Sequence, residues 1–110
     1  MDKYYILKQL LCLKYDMIRM DIKVLDVTIK LVCNIEDVTN KKGICDVLEY
    51  AKNKVINQNI KEALEIMTSN LYLYEYNNID KILINLYCIK KYLIKSGEVY
   101  KKYTNLIERK

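Results

Sequence analysis

The sequence predicts an all-α protein, a compact bundle of five to six short helices forming a single domain over residues 1–110. Three observations predict it. Large apolar residues recur at three- and four-residue spacing along most of the chain. Helix breakers are scarce, with no proline and only Gly43 and Gly97. Finally, no two segments read as a convincing strand pair, so helix stripes must bury against one another.

The first predicted helix covers residues 3–18, where Ile6, Leu7, Leu10, Leu13 and Met17 recur at helical spacing. A second follows near 21–33, with Ile22, Leu25, Ile29 and Val32 on one stripe and Asp21 as its N-cap. Val24, Val27 and Leu31 occupy its other faces, so this segment should be buried on more than one side. Its β-branched content leaves a strand over 22–33 as the alternative. "NIEDVTNKKG" reads as a connection. The third helix, about 41–56, has a narrow stripe of Ile44, Val47, Leu48, Ala51 and Val55 opposite Asp46, Glu49 and Asn53.

The fourth helix opens at "NIKE", where Asn59 and Glu62 have capping-box spacing, and its stripe runs through Ile60, Ala63, Leu64, Met67 and Leu71. "NLYLYEYNN", residues 70–78, sets Tyr72, Tyr74 and Tyr76 on alternate positions, a pattern open to a strand over 70–76. The missing partner strand favours a helix to about Tyr76, which puts Tyr72 and Tyr76 on its far face. The fifth helix lies near residues 79–95. Ile79, Ile82, Leu83, Leu86, Ile89 and Leu93 cover more than one of its faces, so it is expected at the centre of the bundle, capped at Gly97. Lys90 falls inside the apolar arc and should snorkel toward the helix end. A last helix, about 98–109, turns Val99, Tyr103, Leu106 and Ile107 inward and Lys101, Lys102 and Arg109 outward.

Composition narrows the function classes. Lysine outnumbers arginine 17 to 2, and Ile, Asn and Tyr are abundant, the usage of an AT-rich genome; a virus-encoded origin is one source that fits. The N-terminus lacks the features of a signal peptide, and no run is long and apolar enough to span a bilayer. The expected location is therefore cytoplasmic or otherwise intracellular. Cys12, Cys33, Cys45 and Cys88 have no CxxC spacing and read as free thiols.

Catalysis is poorly supplied. There is no histidine to serve as a base. Ser69 and Ser96 sit where helix ends are expected. Glu62 and Glu65 share a face but lack further metal ligands, and no glycine-rich loop exists to cradle phosphate. No catalytic residue, metal or cofactor is assigned, and the chain is expected not to be an enzyme.

Charge and apolar surplus point to binding. Residues 1–88 carry twelve basic and twelve acidic side chains, so the net charge of +5 arises wholly in residues 89–110. Lys90, Lys91, Lys95, Lys101, Lys102 and Arg109 there could meet phosphates, with tyrosines interleaved to stack on bases. Elsewhere, several helices carry more apolar surface than a small core can hide. Tyr72, Leu73 and Tyr76 lack an obvious place in one core, and tyrosine suits interfaces.

A bundle of about six helices at this length resembles death-fold adaptor domains in size and helix count. "EYNNIDKIL" is similar to the late acidic motif of death effector domains at Asp80, without its preceding arginine, and no residue role is carried over. The expected function is a non-enzymatic helical protein–protein interaction module that self-associates, as a homodimer for example, or binds a partner protein through Tyr72, Leu73 and Tyr76. The alternative is a small nucleic-acid-binding protein using the basic C-terminal helix.

Overall fold

The computed structural model describes residues 2–35, 41–73 and 79–108, the side chains of residues 72, 73 and 108 excepted. It is all-helical, with four helices among the described residues: α1 (Lys3–Cys33), α2 (Lys41–Lys54), α3 (Gln58–Leu73) and α4 (Ile79–Glu108). The six predicted segments are therefore corrected to four helices, two of them long. The first two segments fuse into α1, 31 residues, and the last two into α4, 30 residues. Likeness to death-fold adaptors in helix count falls with that correction.

Each fusion has a physical reason. Nothing in "DMIRMDIK" breaks a helix, and the apolar repeat passes through it in register. Asp21 does not cap a new helix start. It is buried in mid-α1, 2% exposed, and its carboxylate accepts hydrogen bonds from the backbone N–H groups of Ile56 (2.7 Å) and Asn57 (3.0 Å). Gly97 likewise does not end a helix. It lies buried inside α4 against α1, where an added Cβ would sit 3.5 Å from both Ile18 Cγ2 and Tyr15 Cε2.

Local signals explain the other boundaries. Asp2 caps α1 by accepting from the Tyr4 N–H at 3.0 Å. Asn34 ends it, its backbone N–H bonding the Lys30 carbonyl. At α3 the capping side chain is Asn57, not Asn59: its Oδ1 accepts from the N–H groups of Asn59 and Ile60 at 2.9 and 3.3 Å. Segment 22–33 is helical, and 70–73 belongs to α3; the rest of the tyrosine-alternating stretch lies outside the described residues.

α1 and α4 run antiparallel, since Gly97 meets Tyr15 and Ile18 while Lys90 meets Asp26. Residues 8, 11, 15, 18, 22, 25, 29 and 32 of α1 lie on its α4-facing side at alternating spacings of three and four, the repeat of a coiled-coil seam. Over the second half of α1, the helices α2 and α3 pack on this pair. Leu25, Ile29, Val32, Ile44, Leu48, Leu64, Leu71, Ile82, Leu86 and Leu93 there join one buried core. α4 is apolar but not enclosed: it pairs with α1, while α1 packs on both α4 and α2. Ile84, Tyr87, Tyr92 and Ile94 of α4 are exposed.

The long pair outruns the short one. The rod measures 56 × 18 × 18 Å, with a radius of gyration of 17.0 Å against about 13 Å for a globular chain of this size. Residues 21–93 make a four-helix body. Residues 3–20 of α1 and 94–108 of α4 extend beyond it as a two-helix arm.

Candidate interaction surfaces

The arm has a seam and little else to hide it. Leu11, Tyr15 and Ile18 of α1 and Tyr100, Thr104 and Ile107 of α4 are half-buried along the line where the helices meet. Every fully buried apolar side chain among the described residues belongs to the body, between Leu25 and Leu93. By contrast Tyr4, Tyr5, Ile6, Leu7, Leu10, Leu13, Met17 and Met20 are all exposed on the arm's first helix, and Val99, Tyr103 and Leu106 on its second.

These exposed groups are ordered. Ile6, Leu10, Leu13, Met17, Met20, Val24, Val27 and Leu31 follow spacings of four and three from one end of α1 to the other. Each stands two residues, about 200° of helix rotation, from a member of the buried seam, so this second stripe faces away from α4. Val24 is half-buried against the core. The others are open, from 40% exposure at Met17 to 59% at Leu13. A soluble helix normally carries one apolar stripe, and α1 carries two.

A cleft of about 340 Å³ lies where body and arm join, lined by Lys14, Met17, Asp21, Asn57, Tyr92, Ser96 and Tyr100 among others. Its floor is the Asp21 contact to the α2–α3 turn. That buried carboxylate is held by two backbone N–H groups and serves as a structural anchor.

Charge divides at the same boundary. Residues 21–93 carry ten basic and ten acidic side chains; residues 1–20 and 94–110 carry nine basic and four acidic, the whole net charge of +5. The basic set proposed from sequence is partly gathered. Lys91, Lys95 and Lys102 lie on the side of α4 turned away from α1, all exposed, while exposed Lys101 is turned toward the flank of the seam. Lys90 stands apart, on the flank of the seam, ion-paired with Asp26. Arg109 lies outside the described residues. Arg19 sits over the Tyr15 ring at 5.8 Å and lines the same flank of the seam as Lys101.

Tyr72 and Leu73 lie in the last turn of α3, at the end of the body opposite the arm; their side chains, and all of Tyr76, fall outside the description. The four cysteines are free, Cys45 buried and Cys33 and Cys88 exposed. Among the described residues no group of three or more Cys, Asp or Glu could hold a metal ion, and no helix is long and apolar enough to cross a membrane.

No family model matches this chain, and no solved structure matches it. It is similar to the mitochondrial ribonuclease P protein component of Saccharomyces cerevisiae, 35% identical over 91 residues that take in 76% of this chain. The chain spans about 7% of the length of that relative.

Proposed function

We propose that this chain is a non-enzymatic helical interaction module that binds a protein surface through the exposed stripe of α1. One observation carries the reading: a second full-length apolar repeat on α1, opposite the one its own fold buries. Burying a large aliphatic side chain is worth roughly 1.5–3 kcal/mol, so leaving this many half-open is costly unless another surface covers them. Tyr72, Leu73 and Tyr76 are a second proposed contact, the first two belonging to the last turn of α3.

Photo-crosslinking tests it. A benzoylphenylalanine at position 13, in the native cell, should capture a polypeptide, while the same group at exposed Glu65 on α3 should not. Equal capture from both positions, or none, would remove the reading. For the second contact, replacing Tyr72 and Tyr76 by serine should weaken association and spare folding; loss of the fold would show those rings to be core.

A second reading is RNA binding by the basic side of the arm. It is favoured by the name of the yeast relative, a ribonuclease P component, and by confinement of the net charge to residues 1–20 and 94–110. Lys91, Lys95 and Lys102 span about 16 Å along α4, room for several phosphates. Fluorescence anisotropy on a structured RNA should give an affinity that falls steeply with salt, and K95E/K102E should flatten that slope by about two. Salt-independent or undetectable binding at low ionic strength would discard it.

A further inference from the structure

We infer that the partner of the α1 stripe is a second copy of this chain, joined antiparallel along α1 about a two-fold axis between Met17 and Met20. This rests on the interaction-module reading and names its partner.

The repeat is self-complementary. Turned end over end, it places Met17 against the copy's Met20 and Leu13 against its Val24. Continuing outward, Leu10 meets Val27 and Ile6 meets Leu31, each pair occurring twice by symmetry. Every layer is apolar, and the larger side chains of the arm meet mostly smaller ones of the body, as close packing requires. The same register carries Asp16 alongside the copy's Lys23, giving two reciprocal ion pairs at the edges of the seam.

Charge selects the orientation. A parallel pair would bring together two chain ends, residues 1–20 and 94–110, that hold nine basic and four acidic residues in each copy. The antiparallel pair lays each basic arm along the other copy's charge-balanced body. The area suffices as well: seven exposed side chains at on the order of 100 Å² each approach the ~800 Å² per partner of a stable interface.

Sedimentation equilibrium from 1 to 200 µM should show the mass doubling from 13.2 kDa. L13K/M20K alters two residues already 59% and 56% exposed, so helicity should persist while the association constant drops at least 100-fold. D16K and K23D should each weaken pairing several-fold, and D16K/K23D together should restore it. A second measurement needs no folded charge variant. With Cys12, Cys33 and Cys88 replaced by serine, M17C chains mixed with M20C chains should oxidise with diamide to a covalent dimer, whereas I6C should not, because residue 6 of each copy then lies far from its equivalent. A wild-type monomer across the range overturns the self-pairing, as does a dimer indifferent to L13K/M20K or cross-linked through I6C. A foreign protein captured at position 13 by a monomeric chain would also overturn it while leaving the interaction-module reading in place. RNA alone captured there would end both.

Discussion

The two halves of α1 carry the same repeat and live in different surroundings. Between residues 21 and 33 its inner stripe meets α4 on one side and α2 on the other, and Leu25 and Val32 lose all contact with water. Between residues 3 and 20 the repeat continues unchanged, yet only α4 lies across from it and no side chain is fully buried. Sequence periodicity therefore fixes which way a side chain points, and the number of neighbouring helices fixes what that direction is worth. The body holds every fully buried apolar side chain among the described residues. The arm is a helical hairpin stabilised by one seam, with apolar surface to spare.

The sharpest test of that contrast pairs equivalent leucines. Leu25 and Leu11 occupy the same repeat position of one helix, one fully buried and the other half-buried. Leu25→Ala should cost about 3–4 kcal/mol, transfer and cavity terms together, and Leu11→Ala about 1 kcal/mol, measured by urea unfolding. Equal costs would mean that the arm is as tightly packed as the body. Hydrogen exchange should agree, with residues 3–20 opening at lower free energy than residues 21–33.

Asp21 marks the boundary, and its loss should rank next. Asp21→Ala would strip both amides of the part-buried α2–α3 turn of their acceptor, costing about 2 kcal/mol. Thermal unfolding reads the loss, and the arm seam on its own should be spared. A change below about 1 kcal/mol would mean that the turn finds other partners.

Much of this was readable from spacing alone, and the exceptions are instructive. The all-α class, the stripe of α2 through Leu48 and Ala51, and the stripe of α3 through Leu64 follow from local periodicity, because each helix buries one narrow face. Asp21 is different. Aspartate in a helical sequence signals a cap, and its actual partners lie 35 and 36 residues away, where no local pattern points. Glycine at 97 signals a stop, while here it lies inside a continuous helix, buried against α1 with room for a methyl group. Those two residues split α1 and α4 on paper into four short helices. Surplus apolar surface is also legible in the composition. Its ordering into one exposed stripe on α1 needs the continuous helix, since the repeat crosses the place where Asp21 suggests a break.

Gly97→Ala sharpens the comparison in the other direction, by strengthening the arm. The added methyl would stand at ordinary contact distance from Ile18 and Tyr15, and alanine favours helix over glycine by about 0.8–1 kcal/mol. Stability should rise by about 0.5–1 kcal/mol, with slower exchange in the arm. A loss instead would show that α1 and α4 need the bare backbone to close.

The smallest effect concerns Lys90. Its ion pair with Asp26 flanks the seam on the charge-balanced body, with 29% and 42% of the two side chains open to water. Such a pair is screened, and Asp26→Asn should cost only about 0.5 kcal/mol. Its consequence for binding is larger than its consequence for folding. A lysine already matched to a carboxylate adds little net field, whereas Lys95 and Lys102 stand on the outer side of α4 in the basic arm. If the arm meets a polyanion, K95E should weaken binding several-fold more than K90E in the same salt. Should K90E prove the more damaging, the anion must run along the seam of the body, and the division of charge between arm and body would not be what selects the partner.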